Sequence, residues 1–335
     1  MNDFSHGGDV ESFAKNLGCG VDEVIDLSSN IHFNSPKVDM PNIDFKSYPK
    51  YDRLNDTLAD NYAISTDELE VFNGGSSAIF SLMRFFSEQD CFIYSPAYSE
   101  YRKAAKINSK KITFVNRFED KDEKECENSI IVFVNPSTPD GTFYDIKEYL
   151  DFWKSKNAKV IIDESFIEFT SQVSIVDQIK NYDNIYILKS LTKFYGCAGI
   201  RCGIVVSSKQ NIQKLREFEP QWKISQYDSK YIEQMLKDKE YKTKTLKEVN
   251  EAKEYLKNIL DSSSLFEKVF ESTANFYLVK LKDMDASTFQ KKLELFKIMV
   301  RNCSNFDFLD DSYVRIAVKT ISESNTFKKA LDSIV

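Results

Sequence analysis

The sequence predicts an α/β fold, with a mostly parallel sheet in a large domain and a small α+β domain at the C-terminal end. Three observations predict it. Short apolar runs bounded by turn residues alternate with stretches whose apolar residues fall at helical spacing. That order of strand then helix implies parallel strands covered on both faces. After about Gln226 the texture changes to a long, charged, helix-forming stretch, and a short mixture of strand and helix patterns follows it. The division expected is an arm over residues 1–40, a large domain over 41–225, and a small domain over 226–335 against which the arm packs.

Taken in order, LEVFNGG (Leu69 to Gly75) reads as a strand ending in a glycine turn, and SSAIFSLMRFF after it as a helix. CFIYSP, KKITFV, SIIVFVNPS, AKVIIDESF, NIYILKS and GIVVS read as further strands, with IKEYLDFWKSKN among the helices between them. KYIEQMLKDKEYKTKTLKEVNEAKEYLKNIL reads as a solvated helical face that bridges to the second lobe. FEKVFESTANFYLVKL, YVRIAVK and a closing helix make that lobe.

Composition narrows the classes of function. The hydrophobic content of 42% and charged content of 29% in 335 residues are those of a globular chain. A net charge of −7 argues against nucleic acid as a partner, because phosphate neutralisation needs a basic face. The two histidines, His6 and His32, are too few for a histidine-rich metal site, and no metal is expected. Six scattered cysteines without a C-x-x-C pair read as reduced thiols. The acidic start lacks the apolar core of a signal peptide, and no apolar run is long enough to span a bilayer. The expectation is a cytoplasmic protein with no membrane partner.

Chemistry collects at the predicted strand ends, where open α/β sheets bind ligands. Glycine is scarce, so NGG and GCAG mark close backbone approach. The amides of Gly75 and Ser76, the hydroxyls of Ser76 and Ser77 and the helix start suit a phosphate, although a plain turn and cap have the same look. VFVNPSTPDG sets a polar turn, with Asn135 and Thr138, directly after an apolar strand. VIIDESFIEF puts Asp163 and Glu164 at the end of another, where a buried carboxylate needs a cationic partner. SLTKFYGCAGIR then supplies Ser190, Thr192, Lys193 and Arg201. A protonated pyridine nitrogen would pair with Asp163. An aldehyde would condense with Lys193. A phosphate would take Ser190, Thr192, Arg201 and the turn at Gly75, Ser76 and Ser77. Together these describe pyridoxal 5'-phosphate.

NPSTPDG, DESFIEF and SLTKFYGCAGIRCG resemble the Asn-Pro turn, pyridinium aspartate and Schiff-base lysine motifs of the class I/II aminotransferase superfamily, which has the PLP-dependent fold type I. Within it the chain is more similar to the threonine-phosphate decarboxylases of cobamide biosynthesis, relatives of the histidinol-phosphate aminotransferases. HGGD, DLSSNIHFNSP, the YP at Tyr48 and Pro49, PAYSEYRKA and VRNCSNFDFLDDSYVRIAV carry that likeness, in collinear order over nearly the whole chain.

The resemblance implies roles. Lys193 forms the Schiff base and shuttles protons, and Asp163 keeps the pyridinium protonated. Tyr98 stacks on the ring, with Tyr101 as its rival. Asn135, Thr138 and Phe166 complete the cofactor contacts, and in a homodimer Tyr48 reaches the neighbouring subunit's cofactor phosphate. Arg301 and Arg315 take the substrate's carboxylate and phosphate, in an order the sequence leaves open. His6 and Asn30 are further substrate contacts, or else an arm turn and a cap. Thr138 stands where relatives carry Asn, Phe166 where many aminotransferases carry Tyr, and Lys319 where Arg is expected. YPKYDRL and the region around Trp222 also depart from the family pattern.

The activity implied is decarboxylation of an O-phosphorylated hydroxy-amino acid for the cobamide nucleotide loop. L-threonine O-3-phosphate would give 1-aminopropan-2-yl phosphate, and L-serine O-phosphate would give ethanolamine phosphate. One methyl is worth only about 1–3 kcal/mol to a pocket, so both stand. A histidinol-phosphate-type aminotransferase is the alternative.

Overall fold

The computed structural model describes residues 6–119 and 126–334. The arm contributes α1 (Val10–Leu17) and β1 (Ile25–Asp26). The next segment holds α2 (Asp52–Tyr62), β2 (Leu69–Phe72), α3 (Gly74–Phe85), β3 (Asp90–Ser95), α4 (Ser99–Ile107), β4 (Lys111–Asn116) and β5 (Ile130–Val134). It continues through α5 (Lys147–Ser155), β6 (Lys159–Asp163), β7 (Ile185–Ser190), α6 (Leu191–Phe194), β8 (Gly203–Val206) and α7 (Lys209–Phe218). Then come α8 (Gln226–Met235), α9 (Tyr241–Ser262), β9 (Phe266–Val269), β10 (Phe276–Leu281), α10 (Ala286–Leu293), β11 (Ile298–Met299), β12 (Arg301–Asn302), β13 (Tyr313–Ala317) and α11 (Ile321–Ile334).

Seven strands form one sheet in the order β2-β8-β7-β6-β5-β3-β4. Strands β3 to β7 pair in parallel, whereas β8 runs antiparallel to both β2 and β7. The helix between β7 and β8 is only four residues long, so the chain turns back instead of crossing over. Side chains alternate across the sheet and build two apolar layers. Ile131 and Phe133 of β5 pack with Leu54, Leu58 and Trp153 on one face. Ile130, Val132 and Val134 pack with Leu82, Ala104 and Leu215 on the other.

A four-stranded antiparallel sheet, β12-β13-β10-β9, forms a second core with α9, α10 and α11. The arm joins this lobe, because β1 pairs in parallel with β11. The long charged stretch is two helices rather than one. The break follows α8, where Asp238 Oδ1 accepts from the amides of Glu240 and Tyr241. The solvated face is only one side of α9. Its Tyr241, Thr245, Val249, Ala252, Leu256 and Ile259 recur every three or four residues and are buried. Among the described residues no helix is long and apolar enough to cross a membrane.

His32 ties the arm to the site, since its backbone amide donates to the carbonyl of Lys193 at 2.9 Å. Its ring is buried against Phe33, and neither ring nitrogen has a partner. Burial pushes its pKa down to about 4, aided by Lys319 and opposed by Glu248. The unfolded chain therefore binds a proton below about pH 6.5 that the folded chain refuses until about pH 4. The stability due to neutral His32 is complete above pH 6.5 and is lost as pH falls through that window. The expected difference between wild type and His32→Asn shrinks by about 1.4 kcal/mol per pH unit below 6.5. Urea unfolding at several pH values reads it; a difference independent of pH would contradict it.

Candidate active site

The carboxyl ends of β5 and β6 and the starts of α4 and α6 open on a cavity of about 400 Å³. Among its lining residues four cations, Lys193, Arg201, Arg301 and Arg315, face one carboxylate, Asp163. Such an excess of positive charge in a recess is a site for a ligand with several anionic groups.

Asp163 ends β6 and is almost wholly buried. Its Oδ2 accepts from the Tyr101 hydroxyl at 3.0 Å and its Oδ1 from the Ser165 amide at 2.9 Å. Tyr101 is thus not the residue that faces the ligand. It is fully buried in α4 and braces the carboxylate, while Tyr98, three positions earlier, lines the cavity. Burial and the adjacent Asp163 hold the Tyr101 hydroxyl protonated, far above its ordinary range. Tyr101→Phe is expected to cost the ligand-free protein about 1.5–3 kcal/mol, the value of a hydrogen bond to a charged group. Denaturant unfolding measures it, and an unchanged midpoint would refute the brace.

Glu164 does not share the site. Glu164, the first residue past the strand, points to the opposite face and meets Lys189 Nζ at 2.5 Å. Glu164 thus has Lys189 as its cationic partner, whereas Asp163 acts on Lys193 across the cavity.

Lys193 sits in α6 immediately after β7, with its Nζ 4.8 Å from the centroid of the Phe166 ring. Burial lowers its pKa; Asp163 opposes this, and Arg315 and Arg201 add to it. A lowered amine pKa increases the neutral, nucleophilic form.

Beside Lys193 the cavity continues to Gly75, Ser76, Ser190, Thr192 and Arg201. The Ser190 and Thr192 hydroxyls are 3.0 Å apart, and Ser76 Oγ is 3.3 Å from the Tyr98 hydroxyl. Gly74 has φ +78°, and a Cβ there would stand 2.3 Å from the Arg201 guanidinium. A Cβ on Gly203 would stand 2.7 Å from the Gly75 nitrogen. The two glycines let β8 and Arg201 close on the start of α3. The resulting cradle of a helix N-terminus, three hydroxyls and a guanidinium fits a phosphate.

Arg301 and Arg315 are register partners on β12 and β13, so both side chains leave the same face. Arg315 donates to Thr138 Oγ1 at 3.1 Å and to the Ser28 carbonyl at 2.9 Å, while its Nε has no partner. Burial brings its pKa down to about 10. Arg301 donates to Asn305 Oδ1 at 2.6 Å and to the Asn302 carbonyl. Thr138, in the place of the expected Asn, accepts from Arg315 and keeps its hydroxyl proton for another acceptor. His6 and Asn30 both line the cavity. His6 Nε2 is 3.1 Å from Glu100 Oε1, and the buried Asn30 Oδ1 has no partner. Lys319 does not line the cavity; its Nζ donates to the Ile31 carbonyl at 2.8 Å.

Three expected contacts lie elsewhere. Both ends of the Asn135 side-chain amide bind the backbone of Tyr144, at 3.0 and 2.9 Å, so it fixes the turn and does not line the cavity. Ser77 is rotated one helical step from Ser76 and lines an outer groove with Phe80 and Arg84. Tyr48 is 71% exposed and stacks on Trp222 at 4.1 Å, outside the cavity of its own chain. Sequence reasoning missed Gly74, Gly203, Ser165, Asn305 and Phe306. The NGG cluster flagged the first; the others carry no local signal.

A mostly parallel sheet with β8 reversed, an aspartate ending β6 and a lysine following β7 define the PLP fold type I architecture. The profile of the family described as aminotransferase class I and II matches residues 41–334, and the chain belongs to that family. It is 30% identical over 99% of its length to the adenosylcobalamin biosynthesis bifunctional protein CobDQ of Leptospira interrogans, of which it spans 41%. It is 29% identical to the histidinol-phosphate aminotransferase of Methanococcus aeolicus, covering 98% of this chain and 95% of that one. It is 24% identical to the threonine-phosphate decarboxylase of Salmonella typhimurium, covering 99% and 96%. The crystal structure of the histidinol-phosphate aminotransferase from Clostridium acetobutylicum superposes with a TM-score of 0.83 at 27% identity, covering 93% of this chain and 99% of that one.

Proposed function

We propose that the chain is a pyridoxal 5'-phosphate enzyme that decarboxylates an O-phosphorylated hydroxy-amino acid. The observation that carries this reading is the charge of the cavity, four cations against Asp163. A cofactor phosphate, a substrate phosphate and a substrate carboxylate together match it. The cradle at Gly75, Ser76, Ser190, Thr192 and Arg201 would hold the cofactor phosphate. Asp163 would take the pyridine nitrogen, with Tyr98 and Phe166 beside the ring. The cofactor supplies an aldehyde that condenses with amines and a ring that accepts electrons from a breaking Cα bond.

The protein's own groups determine which bond breaks. Arg315 is coupled electrostatically to the Lys193 amine. We place the substrate carboxylate on Arg315 and its phosphate on Arg301. Two anchored anions restrict rotation of the substrate and can set the carboxylate bond in the reactive orientation. Asp163 would hold a proton at the pyridine nitrogen, and Lys193 Nζ would deliver one to Cα. His6 and Asn30 face the same space and bind substrate. In a homodimer the exposed Tyr48 would reach the partner's site, and the six unpaired cysteines accord with a cytoplasmic protein.

L-Threonine O-phosphate and L-serine O-phosphate, offered separately to protein loaded with the cofactor, test the reading. Carbon dioxide release with an amine product supports it, and the rate ratio names the substrate. Transamination is the second reading, favoured by the similarity to histidinol-phosphate aminotransferases. Consumption of 2-oxoglutarate without carbon dioxide release would establish it in place of decarboxylation.

A further inference from the structure

The first turn of α4 does more than present Tyr98. Glu100 holds His6 of the arm, and Arg102 Nη1 donates to Asp307 Oδ1 at 3.0 Å. Ser95 Oγ, at the end of β3, donates to the other Asp307 oxygen at 3.4 Å. Asp307 belongs to the connection between β12 and β13, so this ion pair joins the seven-stranded sheet's lobe to the C-terminal lobe. Both side chains are about four-fifths buried, at 21% and 19% exposure, which spares the pair much of the screening that weakens surface pairs.

The connection that Asp307 anchors carries two residues of the cavity. Asn305 accepts from Arg301 Nη2, and the Phe306 ring lies 5.2 Å from the Arg301 guanidinium. The connection is held on its own lobe: Phe306 to Cys303 and Leu309 to Phe306 are short-range turns, the Cys303 amide donates to the Tyr313 carbonyl, and Cys303, Phe306 and Leu309 pack with Leu278 and Tyr313. These contacts all lie within the C-terminal lobe, and the Asp307 bonds to Ser95 and Arg102 are what tie the loop to the other lobe. Burial pushes the Asp307 carboxyl up, while Arg102 and Ser95 favour its ionised form.

We propose that Arg102 is a positioning residue for substrate affinity: by holding Asp307 it docks the 303–309 loop, and through Asn305 and Phe306 it fixes the aim of Arg301. The inference rests on the phosphorylated-substrate reading for its consequence, and on the loop geometry for its cause. Arg102 touches neither the cavity nor the reacting atoms, so its removal acts on binding rather than on the bond that breaks.

The test compares Arg102→Met and Arg102→Lys with the wild type, each loaded with cofactor. Amide hydrogen exchange over 303–309 is read first, without substrate. Spectral titration with the phosphorylated amino acids then gives Kd whichever bond breaks afterwards, and steady-state kinetics give KM and kcat. Arg102→Met is expected to speed exchange in the loop at least about fivefold and to weaken Kd and KM about tenfold, with kcat within about threefold. Arg102→Lys restores most of the affinity, because the cation can still reach Asp307. Unchanged exchange in the loop overturns the inference. So does a fall in kcat at constant KM. Asp307→Asn must reproduce the Arg102→Met pattern, which separates loss of the pair from damage to α4. If neither phosphorylated amino acid binds the wild type, the substrate reading fails there, while the exchange experiment still decides whether Arg102 docks the loop.

Discussion

Lys193→Ala is expected to abolish turnover, by about 10⁴-fold or more, while leaving the ligand-free protein as stable as the wild type or more so. The activity loss follows from removing the nucleophile and the proton carrier in one substitution. The stability follows from the surroundings. The amine is buried beside Arg315 and Arg201, and that environment disfavours its charged form. The backbone carbonyl at 193, which accepts from His32, is untouched by the change. A residue that costs the fold and serves the chemistry is the pattern expected of an active site. Borohydride reduction of loaded wild type should fix the cofactor's mass on the peptide containing Lys193, and the alanine variant should take up none. A variant that kept a few per cent of the activity would place the nucleophile elsewhere, and one that lost several degrees of thermal stability would overturn the unfavourable burial of the amine.

The site was legible where its chemistry is local in the chain. Lys193 and Asp163 each follow an apolar run, and a strand end that exposes a charged residue can be read without knowing its neighbours. Parity was the first thing that needed the structure. Asp163 and Glu164 look alike in sequence, but alternation sends one to the cavity and the other to Lys189. Phase was the second. Ser76 lines both the cavity and the outer groove, whereas Ser77, one helical step on, lines the groove alone. Competition for a side chain was the third. Asn135 has the right chemistry for a ligand, but the Tyr144 backbone occupies both ends of it. The direction of β8 depends on how tightly the chain turns after α6, where Gly196 takes a φ of +57°, and no periodicity records it. Arg301 and Arg315 lie far enough apart in the chain that only their pairing across β12 and β13 makes them one feature.

That pairing allows the two arginines to be told apart by experiment. Arg315→Lys is expected to lower kcat/KM for the phosphorylated substrate by about 10²–10³-fold, with kcat carrying much of the loss. The Arg315 fork holds Thr138 Oγ1 and the Ser28 carbonyl and lines the same cavity as Lys193. An ammonium has no fixed fork with which to keep both contacts and aim at a carboxylate. Misalignment there changes which Cα bond is held for cleavage, so the loss falls on the chemical step and a small transamination rate should emerge. Arg301→Lys should behave differently. Arg301 is backed by Asn305 and Asn302 and is not among the charges that shift Lys193. Its replacement should raise KM about 10- to 100-fold with kcat less affected. It should also reduce the preference for the phosphorylated over the free amino acid, because the phosphate is the group we assign to it. If the two variants exchanged these signatures, the carboxylate and phosphate assignments would be reversed. Equal losses of kcat in both would mean that the arginines act as one clamp on a single anion, and the charge of the cavity would then have to be matched by a smaller substrate.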